Sequence, residues 1–212
     1  MTKIQQIQLA IDNAMLKQSN LVEDNYKVPA LVSLWGRNLY NNLGSLSTRY
    51  LEIGSHLGGS FTSTISGNNL LSATSIDSFA SDWVEDRKCM PLFIENVKQW
   101  CPKKTKFNFI LGDAFGIDRN EIPNGIDLYC YDGSHDEESQ RKAVSFYLDK
   151  MADEFIFIVD DANWVEVKEG TEKGVLEANV DVIKKWYLEA DGSHNNDHWW
   201  NGYFIFLLKK RK

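Results

Sequence analysis

Asp132, Asp160 and Asp161, with His135 three positions past the first, are the residues whose types and spacing best suit chemistry. Asp132 closes the apolar run 126–131, and Asp160 and Asp161 close the apolar run 155–159. If those runs are neighbouring parallel strands, their carboxyl ends open on one crevice despite the chain between them. Clustered carboxylates repel unless a cation neutralises them, and an all-oxygen set suits Mg²⁺, Mn²⁺ or Ca²⁺ better than zinc. The same acids also suit helix capping or the orientation of a ligand's amino group. His135 suits a proton acceptor, a ligand to an ion, or a side chain that only bonds the strand-end loop.

A second group begins in the stretch RYLEIGSHLGGS, residues 49–60. A short apolar strand runs into a turn holding Gly54, Gly58 and Gly59, and a helix is expected from Ser60. Glycines let a ligand approach the backbone, and the unsatisfied N–H groups of a helix start face it, so the stretch suits an anion or a nucleotide. Asp77 follows Gly54 at about the offset where an acid grips ribose hydroxyls in nucleotide-binding α/β folds; capping the next turn is its plainer role. Asp113, just past a third strand, suits a ligand contact or a simple turn start.

Positioning these residues requires alternating strands and helices. Helical spacing marks 4–16, and Pro29 opens a second helix to Gly44; together they make an N-terminal appendage, residues 1–48, suited to covering a sheet edge, lidding the site or forming a homo-oligomer contact. The body, residues 49–212, continues with strands at 70–77, 106–111, 126–131 and 155–159 and helices at 60–66, 87–100 and 136–151. Ser134 with Glu137 reads as a capping box for the last of these. A helix at 171–185 and an antiparallel hairpin of WYLEAD and GYFIFLLKK complete the chain. The expected fold is α/β: a doubly wound, mostly parallel seven-stranded sheet with an antiparallel C-terminal hairpin, Rossmann-like in plan.

Composition narrows the partners. A formal charge of −7 and a pI near 5.1 argue against nucleic acid, and the basic run from Lys209 to Lys212 reads as a solvated tail. Cys89, Cys101 and Cys130 match no zinc or redox spacing and are expected as reduced, mostly buried thiols. With no signal-peptide pattern and no membrane-length apolar stretch, a cytoplasmic location off the membrane is expected. Trp83, Trp164, Trp199 and Trp200 fall in loops beyond strand ends, where they suit walls of an acceptor pocket or ordinary packing. His194 and His198 flank a polar hairpin turn, where they suit reaching the crevice or, more plainly, a solvated loop.

With the strands placed, the chain resembles the class I S-adenosylmethionine-dependent methyltransferases, in particular the metal-dependent branch that includes macrocin and catechol O-methyltransferases. The resemblance covers residues 50–209 and rests on YLEIGSHLGGS, SIDSF, LGDAF, YDGSHDEE and FIVDDANW, in that order and at strand ends. It implies cofactor contacts from Glu52, Gly54, Ser55, Gly58 and Ser60, ribose binding by Asp77, and adenine contact by Asp113 with Ala114 beside it. It implies a divalent ion, such as Mg²⁺, on Asp132, Asp160 and Asp161, with Asp132 bordering cofactor and acceptor alike. An Asp stands at the third ligand position, where catechol-type relatives carry Asn, and the turn is wider than G-x-G-x-G. His135 occupies the offset of a catalytic lysine, so a neutral imidazole there would take the proton of an acceptor hydroxyl on a small molecule. Two rivals stand beside this reading. An NAD(P)-dependent oxidoreductase shares the glycine turn and acid, but G-x-G-x-x-G is missing; a non-catalytic binding module of the same fold would have little use for these acids.

Overall fold

A computed structural model describes residues 1–80, 89–193 and 195–211. Trp83 and His194 lie outside the described residues, as does the expected helix start at Arg87. Seven strands form one sheet: β1 (Arg49–Ile53), β2 (Ser72–Asp77), β3 (Lys106–Leu111), β4 (Ile126–Tyr131), β5 (Met151–Val159), β6 (Val180–Leu188) and β7 (Tyr203–Lys210). Their order is β3-β2-β1-β4-β5-β7-β6. The first five pair in parallel, and β7 is antiparallel to both β5 and β6. The expected fold class is therefore observed.

The central strands are buried on both faces, which is why they read as apolar runs rather than alternating ones. Alternation sorts them into two cores. Tyr50, Leu128, Cys130, Ile156 and Ile158 face one side; Leu51, Ile53, Tyr129, Tyr131, Phe157 and Val159 face the other. Helices α1 (Lys3–Met15) and α2 (Leu34–Gly44) belong to the first core through Ile7, Ile11, Leu39 and Tyr40. The N-terminal residues thus pack on the sheet's own core. Helices α3 (Gly59–Ile65), α4 (Cys89–Trp100), α5 (Glu137–Tyr147) and α6 (Val165–Glu177) fill the crossovers. No helix among the described residues is long and apolar enough to cross a membrane.

Several boundaries differ from the sequence reading. Helix α2 starts at Leu34, not at Pro29, because Ser33 caps it: its Oγ accepts from Gly36 N at 3.0 Å. The expected capping box of Ser134 and Glu137 is replaced by Asp136, whose Oδ1 accepts from Ser139 N at 2.9 Å while Ser134 Oγ donates to its Oδ2 at 2.6 Å. The expected helix at 171–185 is in fact α6, beginning at Val165 and ending at Glu177, and residues from Val180 onward are strand. The β-branched residues Val180, Val182 and Ile183 pack better on a pleated surface than in a crowded helical turn. Strand β5 likewise begins at Met151, ahead of the apolar run at 155–159.

Candidate functional site

β1 lies between β2 and β4, so the connections leave it to opposite sides, and the crevice of an open α/β sheet forms at that reversal. Gly54 and Asp132 meet there. Gly54 has φ +81°, and a Cβ on it would stand 1.9 Å from the carbonyl oxygen of Asp132. Only glycine permits both that backbone angle and that approach. The glycine turn and the acid of β4 are thus parts of one crevice.

The β1 side is saturated with internal hydrogen bonds. Asp77 Oδ2 accepts from the backbone N–H groups of Ser55 and His56, both at 2.8 Å, and its Oδ1 accepts from Phe79 N at 2.7 Å. Asp77 therefore shapes the turn it was expected to serve, while His56 and Phe79 adopt left-handed backbone beside it. Beneath the turn, Glu52 is wholly buried, accepting from Ser60 Oγ at 3.0 Å and from the Tyr50 hydroxyl. Burial pushes its pKa up to about 8 against the pull of these hydrogen bonds, so at neutral pH the carboxyl is mostly protonated. Ser55 Oγ bonds Ser75 Oγ at 2.7 Å, and Gly58, at φ +87°, caps α3. Asp113 is exposed past β3, with Oδ1 accepting from Phe115 N at 2.9 Å, and Ala114 is held by the Tyr147 hydroxyl on its carbonyl.

At the ends of β4 and β5 the surroundings are charged. One ligating atom each from Asp132, His135 and Asp161 lies within 4.8 Å of the others. His135 Nε2 is 3.0 Å from Asp161 Oδ2 and 3.8 Å from Asp132 Oδ1. These two acids outweigh partial burial and raise the His135 pKa to about 10, so with the acids ionised the ring is an imidazolium and cannot accept a proton. Burial, partly offset by His135, holds Asp132 above the usual carboxylate range. The His135 ring meets the Trp164 indole edge-on, with centroids 4.7 Å apart.

Asp160 is not brought into this group. It is 7% exposed, its Oδ2 accepts from the Tyr40 hydroxyl at 3.1 Å, and its Oδ1 accepts from Asp161 N at 2.8 Å. Burial, then the neighbouring Asp132 and Asp161, drives its pKa well up. Asp161 is held at φ +57°, with Asn201 Nδ2 donating to its Oδ1 at 2.6 Å. Tyr40 and Asn201 are the site residues that sequence reasoning missed, and the sequence holds no local signal for either. Trp164 is exposed at the crevice, whereas Trp199 is buried against Trp35 and Tyr203. His198 packs tilted against Trp35, with centroids 5.7 Å apart, and its Nδ1 lies 3.1 Å from Asp191.

The group fits a divalent cation on two counts. His135 Nε2 is enclosed and makes no well-aligned hydrogen bond despite its close carboxylate, and the two carboxylates are oxygen donors of the kind that hard ions such as Mg²⁺ and Mn²⁺ take.

Strand order, crevice and terminal hairpin together make a Rossmann-like architecture. No protein-family model matches the sequence, and no curated protein is similar to it in sequence. Solved structures do match. An O-methyltransferase from Bacillus cereus in complex with S-adenosylhomocysteine (SAH) gives a TM-score of 0.61 at 13% identity, over 99% of this chain and 93% of that one. The O-methyltransferase TomG from Streptomyces achromogenes, involved in tomaymycin synthesis and in complex with S-adenosylmethionine (SAM), gives 0.58 at 12%, over 94% and 89%. TrmK of M. capricolum with SAH gives 0.50 at 16%, over 91% and 70%. At such identities the likeness is one of fold.

Proposed function

We propose that the protein is a SAM-dependent methyltransferase acting on a hydroxyl oxygen of a small molecule, with help from a divalent cation. The observation that carries this is the abutment of Gly54 on Asp132, which sets a cofactor-type glycine turn directly beside the Asp132–His135–Asp161 group. The fold shared with proteins crystallised with SAM or SAH supports the choice of cofactor.

The cofactor supplies an electrophilic methyl group on sulfonium, and a cation would stabilise the negative charge that develops on the acceptor oxygen. The turn from Gly54 to Ser60 borders the methionine part, with Glu52 and Ser55 beneath it. Asp77, with one acceptor site left on Oδ1, would receive a ribose hydroxyl, and Asp113 with Ala114 would border the adenine. Asp132 and Asp161 would hold the cation, with His135 beside them and not bound to it; Asp160 braces Asp161 from below. Neutralising the two acids removes the cause of the raised His135 pKa, returning the imidazole toward the range in which it accepts a proton from the hydroxyl. Trp164 offers an apolar wall beside that position.

Calorimetric titration with SAH and, separately, NADH tests the reading. Binding of SAH and none of NADH is expected; tight binding of NADH alone would assign the turn to an oxidoreductase. Repeating the SAH titration and a methyl-acceptor screen with Mn²⁺, Mg²⁺ and chelator tests the cation, and turnover indifferent to chelation would remove it.

A further inference from the structure

Arg37 on α2 is 3% exposed, and it has no ion pair with a carboxylate among the described residues. Its donors go to neutral acceptors. Nε bonds Ser63 Oγ at 3.0 Å; Nη1 bonds Val28 O at 2.9 Å and Tyr26 O at 3.3 Å; Nη2 bonds Asn25 O at 2.7 Å and Asn25 Oδ1 at 3.0 Å. The guanidinium also lies over the Tyr26 ring, 5.5 Å from its centroid. One fork thus ties a 3-10 turn, Glu23–Lys27, to α2 and to α3.

Residues 28–30, just past that turn, reach the cofactor cradle. A Cβ on Gly59, the first residue of α3, would stand 2.1 Å from Ala30 Cβ and 3.0 Å from Pro29 O, so this segment presses directly on the glycine turn. An open cavity of about 270 Å³, lined by Asp24, Lys27 and Val28 on one side and by Asn96, Gln99 and Trp100 on the other, lies between the 3-10 turn and α4. The Arg37 fork fastens residues 25–28, and Pro29 and Ala30 continue from them as a strap along Gly59.

We propose that Arg37 is a positioning residue for the cofactor: its fork holds Pro29 and Ala30 against Gly59, so that the strap forms one wall of the cradle and retains the adenosyl ligand. The inference rests on the cofactor reading above. A strap closed only part of the time raises the apparent Kd by the reciprocal of the closed fraction, so closure in about one molecule in ten weakens binding about tenfold.

The test is SAH affinity by calorimetry, with amide hydrogen exchange over residues 25–33, in the wild type, Arg37→Met and Arg37→Lys, below the melting temperature of each. Both variants are expected to bind SAH about tenfold more weakly while keeping native circular dichroism, because lysine cannot reproduce the planar fork. SAH should slow exchange over 25–33 in the wild type and not in the variants. Unchanged affinity in both would overturn the inference, as would Arg37→Lys matching the wild type, which would make the charge rather than the fork decisive. Should Arg37→Met fail to fold, the wild-type exchange decides: no protection of 25–33 by SAH sinks the strap. A wild type that binds no SAH sinks the cofactor reading itself, whereas unchanged variants sink only the strap.

Discussion

The two sides of the crevice are built on opposite principles. On the β1 side, Asp77 takes the backbone N–H groups of Ser55, His56 and Phe79, and the buried Glu52 takes the Ser60 and Tyr50 hydroxyls, so shape is fixed by backbone angles and by carboxyls locked onto donors of their own side. On the β4–β5 side, Asp132, Asp161 and His135 are partly exposed and held by charge, with Asn201 bonding Asp161 directly and Tyr40 reaching it through Asp160. The first side resists change in geometry, and the second responds to change in charge. A methyl donor needs a fixed position; an acceptor oxygen needs a field that follows its ionisation.

Substitution at Gly54 tests the first half of that contrast most severely. Gly54→Ala places a Cβ on the Asp132 carbonyl at an unfavourable φ, and should cost about 3 kcal/mol or more in urea unfolding, along with loss of SAH binding. A cost under about 1 kcal/mol would mean the crevice adapts, and the rigid side would no longer be rigid.

Glu52 offers the next largest effect. Folding raises its pKa from 4.5 to about 8, so the folded state takes up a proton. Its contribution to stability is full below about pH 4.5 and is lost as pH rises through 8, by up to about 1.4 kcal/mol per pH unit. Glu52→Gln should remove that part of the slope, which wild-type and variant denaturation curves across this window would read. Parallel curves would show that Glu52 stays ionised and that the β1 side, too, is governed by charge.

The smallest effect sharpens the other half. In chelator-treated protein, His135 gives stability that is full below its unfolded pKa near 6.5 and lost as pH rises through about 10. Asp161→Asn should lower the His135 titration midpoint by about one unit, read from its ring-proton resonances. A midpoint that does not move would assign the raised pKa to Asp132 alone.

Much of this arrangement was legible in the sequence, because strand ends in a parallel sheet share an edge whatever their separation along the chain. Gly54, Asp77, Asp132 and Asp161 are all placed by that rule. What escaped was set by tertiary packing: Tyr40 reaches Asp160 across 120 residues, and Asn201 reaches Asp161 across 40. Tyr40 reads as one more apolar position on an amphipathic helix, and Asn201 as loop. The start of β6 escaped for another reason. It is an edge strand with Asp181, Val182, Ile183 and Lys184 exposed in succession, so neither period-two nor helical spacing marks it.

The placement of β7 between β5 and β6 carries a consequence for synthesis. Among the described residues β6 pairs with β7 alone, and β5 has β4 on its inner side. Until residues up to 210 have left the ribosome, the apolar run of β5 is an unpaired edge and β6 has nothing to join. Asn201, just ahead of β7, also cannot yet brace Asp161. A nascent chain shorter than this therefore exposes an apolar strand edge, the kind of surface on which chains aggregate before folding is complete.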